Sequence, residues 1–282
     1  MSNVLVLHVC DPDGLSYGGF QWPESGPVEC PPPDPNNPGA HWDPKPTCGN
    51  GLHGWLWGEG NGLVTIPSPK ARWLVVEVLE SDIVDLGGKV KFPKGYVIFC
   101  GRMEDAANYI ANNGGLGRVI IGQQVSKLTG AHNIAVVGDY GSAIVGNHGT
   151  ALAGSDGLAI AGQCGRAISG FGGTAIAGTY GNAQASVSGT ASAGYGGQAY
   201  VGNMGKASAG EYGRIVIEDF VAGSFAGILV GNIGKKGILP NTYYMALNGR
   251  LRACGSCKDQ ERVPKTPNLV TGISFDEVGS TS

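Results

Sequence analysis

Cys254 and Cys257 stand in a Cys-Gly-Ser-Cys spacing near the end of the chain. Such a pair becomes a redox dithiol when a helix N-terminus lowers one thiol's pKa, and half of a zinc site when a second pair answers it. Here the pair closes a hairpin and no second Cys-x-x-Cys exists, so a structural or incidental role is expected. Cys10, Cys30, His41, Cys48 and His53 carry zinc-binding atoms, but their spacings match no standard finger. No metal or cofactor is expected. A third group lies in CGNGLHGWLWGEGNG (Cys48–Gly62), where six glycines surround His53, Trp55 and Trp57. Indole walls with an imidazole contact could form a small-ligand pocket, with His8 as a further polar member. The plainer reading is an aromatic-anchored loop packed on a sheet. Glu77 and Glu80 are the remaining groups for acid–base work. No Ser/His/Asp spacing, phosphate loop or dinucleotide fingerprint is visible, and no catalytic residue is assigned.

The elements that must position these residues fall into two regimes. Residues 1–113 read as a small α+β domain. Its strands are Val4–Val9, Trp73–Leu79, Lys89–Phe92 and Tyr96–Cys100, with a proline-rich irregular loop over Trp22–Pro46. Glu104–Asn112 reads as a short helix stopped by Asn113-Gly114, and caps the repeats that begin at Gly114.

Residues 114–217 then repeat every eight: GDYGSAIV, GNHGTALA, GSDGLAIA, GQCGRAIS and onward to GEYGRIVI, thirteen octads without an insertion. Glycine at positions 1 and 4 predicts a tight reversal needing positive φ. The next four residues form a short strand whose side chains alternate between faces. Position 6 is alanine in all nine octads from Gly138 to Ala209, so positions 6 and 8 point inward and positions 5 and 7 outward. Two octads make one sixteen-residue coil with two opposed sheets. The fold class is therefore mainly β: the small N-terminal domain, a two-sided parallel β-solenoid of eight-residue half-coils, and a C-terminal cap. Residues 218–257 taper the solenoid and close it with a hairpin, Tyr243–Leu247 and Arg250–Cys254 about Asn248-Gly249. A polar tail occupies 258–282.

Outward position 7 holds Ile144, Ile160 and Ile176 on one sheet and Leu152 and Ile168 on the other. Apolar ladders of this kind mark an interface, so a homo-oligomer joined through them is expected, with room for another protein partner.

Composition narrows the setting. Glycine accounts for 50 of 282 residues, charged residues for 15% and the net charge is −3, so no basic field points to nucleic acid. The first residues lack the basic and long apolar runs of a signal peptide, and no apolar run approaches a membrane span. Seven cysteines form no disulfide framework. A cytoplasmic location is expected, which for a phage-encoded chain means the host cytoplasm or the virion.

Four N-terminal stretches carry a resemblance: GGFQWP (Gly18–Pro23), PTCGNGLHGWLWGEG (Pro46–Gly60), RWLVVEV (Arg72–Val78) and KVKFPKGYVIFCGRMEDAANYI (Lys89–Ile110). They resemble an uncharacterised family of phage and bacterial proteins with a Cys-x-x-Gly-(Leu/Phe)-His core and Gly/Ala-rich repeats behind it. Cys48, Gly51, Leu52 and His53 supply the core, and the resemblance implies no activity. A fainter similarity, through His8, the Gly-rich segment and the acidic strand, is to ADP-ribosyltransferase-like domains. His8 is followed by Val9, which departs from that family's His-Gly or Arg signature. The repeats also resemble ice-binding solenoids, but those need regular threonine ranks, and position 5 mixes Thr, Arg, Asn, Gln and Lys. The expected function is that of a structural or interaction protein, phage- or prophage-encoded, bearing an N-terminal module on a self-associating solenoid. The alternative is an enzyme or a binder of a small ligand such as a nucleotide.

Overall fold

The structure is a computed structural model that describes residues 2–34, 41–62, 68–128 and 130–254. It divides into two compact units: Met1–Gln124 with Val137–Ser142, and Val125–Val136 with Ala143–Ser282.

The first unit is built on one antiparallel sheet of β1 (Asn3–Cys10), β2 (Gly26–Glu29), β3 (Leu52–Leu56), β4 (Arg72–Leu79), β5 (Val84–Asp85), β6 (Val90–Phe92) and β7 (Lys94–Gly101). Their order is β2-β7-β4-β1-β3-β6-β5. Central β1 and β4 are almost wholly apolar because both faces are covered. One face packs Val4, Val6, Trp22, Val76 and Phe92; the other packs Leu7, Trp55, Trp73 and Val75 beneath α1 (Met103–Asn112) through Ala106, Ala107 and Ile110.

Two expectations are corrected here. The Gly-rich aromatic segment supplies a strand, β3, beside β1 in the sheet. Its Gly54 is needed because a Cβ would lie 2.4 Å from Val6 Cγ1 and 2.5 Å from the Leu7 carbonyl oxygen. The first octad, GGLGRVII, contributes no strand: Ile120 and Ile121 are fully buried in the first unit's core.

The second unit is the β-solenoid, about six coils some sixteen residues apart between residues 124 and 217. Its strands are β8 (Gln124–Leu128), β9 (Ile134–Val136), β10 (Ser142–Val145), β11 (Thr150–Ala153), β12 (Leu158–Ala161), β13 (Arg166–Ser169), β14 (Thr174–Ala177), β15 (Asn182–Ala185), β16 (Thr190–Ala193), β17 (Gln198–Val201), β18 (Lys206–Ala209) and β19 (Arg214–Val221). The degenerate octad GQQVSKLT supplies the first of them. Even-numbered strands from β8 to β18 form one sheet and odd-numbered strands from β9 to β19 the other. Pairing between coils is parallel and in register, as in Ala159↔Ala175↔Ala191 and Ala151↔Ala167↔Ala183. Every position-6 alanine from Ala143 to Ala207 is at most 2% exposed.

The glycines do not work as their spacing predicts. The turn residue with positive φ is position 3, which is mostly not glycine: Tyr140, His148, Asp156, Cys164, Tyr180, Ser188, Met204 and Tyr212 lie at φ between 51° and 59°. Glycine at position 1 is required by contact with the coil before it. A Cβ on Gly178 would sit 2.8 Å from the Gly162 carbonyl carbon, and one on Gly194 would sit 2.8 Å from that of Gly178.

The solenoid ends by turning antiparallel. β19 folds back on β20 (Ser224–Asn232), and β21 (Tyr244–Leu247) pairs with β18 through Tyr244 and then with β22 (Arg250–Ala253). Asn248 (φ 50°) and Gly249 (φ 74°) occupy the hairpin turn read from the sequence.

Candidate functional site

The aromatic pocket residues do not converge. His8 and His53 sit on neighbouring strands, but strand alternation sends His8 to the Trp22 face and sets His53 beside Trp55 in the alternation of β3. The His8 ring stacks on Trp22 at 4.0 Å between centroids. Its Nδ1 lies 2.7 Å from the His53 carbonyl oxygen, which can only accept, so Nδ1 carries the proton. Nε2 is then a bare acceptor and the indole Nε1–H of Trp22 a donor, both sealed from solvent without a partner among the described residues. Burial lowers the His8 pKa to about 4, which keeps the ring neutral. His53 is lowered to about 4 as well, first by burial and then by the charges of Lys89 and Lys91. Trp55 stacks on Trp73 in the core under the helix. Trp57 receives the Arg118 guanidinium 5.1 Å above its ring.

The loop before β3 holds groups that the sequence did not single out. Lys91 is fully buried on β6, directly across from His53. Its ammonium donates to the carbonyls of Thr47 (2.9 Å) and Gly49 (3.3 Å) and lies 5.6 Å from the Trp42 ring. Neighbouring Lys89 donates to the exposed Cys48 thiol at 3.0 Å and lowers its pKa. Lysines two apart, one just before a short strand and one within it, opposite a Cys-Gly loop, are the signal that could have found this arrangement. No three Cys, His, Asp or Glu side chains gather in a metal-binding set among the described residues. Cys254 is half-buried at the end of β22 with its thiol pushed up by burial, while Cys257 lies outside the described residues.

On the solenoid, parity sorts the outward side chains. The even sheet carries Ser142, Leu158, Thr174, Thr190 and Lys206 at position 5, and Ile144, Ile160, Ile176, Ser192 and Ser208 at position 7. The odd sheet carries Thr150, Arg166, Asn182, Gln198 and Arg214, with Leu152, Ile168, Gln184, Tyr200 and Val216. Four of the five aliphatic side chains expected at an interface, Ile144, Leu152, Ile160 and Ile168, are half-buried within their own ladders, and Ile176 is 8% exposed. Along the turns, His132 stacks on His148, and Tyr180, Tyr195 and Tyr212 form an edge-to-face series.

The fold therefore defines the chain as a β-solenoid of sixteen-residue coils carrying an antiparallel N-terminal unit. The relatives it matches are ice nucleation proteins of bacteria. It is 36% identical over 115 residues to an ice nucleation protein of Xanthomonas campestris pv. translucens, a match covering 40% of this chain and 7% of that protein. It is 35% identical over 112 residues to one of Pseudomonas fluorescens (39% and 8%) and 34% over 113 residues to one of Pseudomonas syringae (39% and 9%). The chain thus spans less than a tenth of the length of these relatives. No family model and no solved structure matches it. The similarity overturns the expected location. The relatives are bacterial outer-membrane-anchored proteins rather than proteins of the cytoplasm or of virions, and they are not phage proteins. No helix among the described residues is long and apolar enough to cross a membrane.

Proposed function

We propose that this chain is a structural interaction protein whose solenoid acts by displaying a flat periodic face, and that copies associate through such faces. The observation that carries this reading is the in-register stacking of the even sheet. Ser142, Leu158, Thr174 and Thr190 form one outward row, with Ile144, Ile160, Ile176 and Ser192 beside it, about 4.8 Å from coil to coil. These two rows carry no charge until Lys206, whereas the odd sheet presents Arg166 and Arg214. The mixture seen at position 5 in the sequence is thus two interleaved faces, one of them uncharged over these coils and rich in hydroxyl and methyl groups. The names of the relatives supply the object of such a face: ordered water at ice.

Uptake into a slowly growing ice hemisphere tests this. The parent should enter the ice, and Thr174→Glu/Thr190→Glu should be excluded while remaining folded. A parent excluded like an ordinary globular protein removes the ice reading. Self-association is tested by light scattering: Ile144→Ser/Ile160→Ser should lower the mass of the parent, and a monomeric parent ends that half of the proposal. The resemblance of Cys48, Gly51, Leu52 and His53 to the uncharacterised phage and bacterial family is retained as a proposal for the N-terminal unit alone.

A further inference from the structure

Between the two antiparallel hairpins that end the solenoid lies an open cleft of about 520 Å³, within the range of small-molecule sites. Its walls are largely aliphatic or bare backbone, with Val221, Ala226 and Leu229 on one hairpin, while Asn248 beside Gly249 on the other adds one amide side chain. One charged side chain, Asp219, lines it. Asp219 belongs to the inward series of β19 that begins Ile215 and Ile217, and is 4% exposed. One carboxylate oxygen accepts the Gly249 N–H at 2.9 Å. The other has no hydrogen bond or ion pair among the described residues. Arg250, next to Gly249 in the turn, is exposed and makes no ion pair with it among those residues.

A largely buried carboxylate held by one neutral donor, its second oxygen open to the cleft, is a weak arrangement for a structural group, because burying charge is costly unless it is paired. It is a good arrangement for a ligand that brings the missing charge. A neutral or anionic guest would leave the acid unpaired, and a bare metal ion would find one carboxylate where several oxygens are needed. An ammonium or guanidinium on an apolar stem satisfies both parts of the cleft: the head donates to the free oxygen while the stem covers the aliphatic walls.

We propose that this cleft binds an organic monocation with an apolar body, held by Asp219 against Val221 and Leu229. The cation reaches the site either as a free amine or as a lysine or arginine side chain of a second copy.

The test is a titration of the full-length protein with phenethylammonium chloride, read by methyl NMR, with 2-phenylethanol as the uncharged analogue. Saturable one-to-one shifts are expected at Val221 and Leu229, with binding at least tenfold weaker for 2-phenylethanol and for Asp219→Asn. The asparagine can still accept the Gly249 N–H, so the turn should survive. If that variant does not fold, Val221→Ser keeps the acid, removes a wall, and should weaken binding by the same order. Light scattering during the titration separates the sources: constant mass assigns the cleft to a free amine, and a falling mass shows the amine displacing a second copy's side chain. Equal titrations for parent and Asp219→Asn, shifts confined to other residues, or no saturation overturn the proposal. Binding seen only in Arg250→Ala also overturns it, since the chain's own arginine is then the occupant.

Discussion

Gly178→Ala puts the role of the position-1 glycines to a direct test. Gly178 lies outside the positive-φ region, so alanine meets no backbone strain of its own there. On conformational grounds alone the substitution should stabilise by about 0.4–1 kcal/mol, through the unfolded chain. The structure predicts the opposite sign. The added Cβ would stand 2.8 Å from the Gly162 carbonyl carbon, 2.9 Å from the Gln163 nitrogen and 3.0 Å from the Gly162 oxygen. All three are backbone atoms of the preceding coil, so no side chain can swing away. Reaching ordinary contact separates the coils locally by about half an ångström. That stretches the Gly178 N–H bonds to Ala161 and Gly162, now 3.0 and 3.2 Å. Weakening two such bonds at about 0.5–1.5 kcal/mol each outweighs the entropic gain. Net destabilisation of about 1–2 kcal/mol is expected, a fall in melting temperature of about 2–8 °C for a chain of this size. Thermal unfolding by circular dichroism measures it, with Thr179→Ala as the neighbouring control. A Gly178→Ala protein that melts at or above the parent would refute the close-approach argument and return the glycines to a turn-geometry role.

Three further outcomes are expected. Ala175→Leu should overpack the interior between the sheets and cost about 1–3 kcal/mol, whereas Thr174→Val on the outer face should be nearly neutral; equal melts would remove the inward assignment of position 6. Because the folded pKa of His8 is about 4 and the unfolded value near 6.5, the unfolded chain binds more protons between those values. The stability held by neutral His8 should therefore be complete above pH 6.5 and decline as pH falls toward 4, by up to about 3 kcal/mol. A denaturation series in which His8→Gln keeps the parent's full pH slope contradicts this. Among the described cysteines Cys48 should alkylate first, because it is exposed and Lys89 stabilises its thiolate while burial raises Cys10, Cys30, Cys100 and Cys254. Lys89→Met should slow labelling at that peptide, and an unchanged rate measured by peptide mass spectrometry would detach the thiol from the lysine.

The sequence exposes what repeats and conceals what occurs once. Alanine at position 6 fixes both the period and the inward face, because only a buried, closely packed layer demands so small a residue at one phase. The same pattern misleads at its margins: GGLGRVII has octad form, yet Ile120 and Ile121 belong to another core. β3 is hidden because its glycines, which read as loop punctuation, are where neighbouring chain comes too close for a Cβ, as at Gly54. His8 and His53 look like partners in composition, and alternation on adjacent strands parts them. Asp219 cannot be picked out because its enclosure depends on where the chain reverses and on a hairpin some thirty residues later.

The sixteen-residue register also makes the chain's length a matter of parity. Removing or adding two octads leaves every later strand on its own sheet, with β19 still meeting β20 and β18 still meeting β21. Removing one octad transfers all later strands to the opposite sheet. Deleting 178–185, for example, would place Gln198 and Arg214 in the row now held by Ser142, Leu158 and Thr174, and would present the closing hairpin to the wrong face. Solenoids of this build can therefore lengthen freely in steps of sixteen, while an eight-residue change rewrites both faces and misaligns the end.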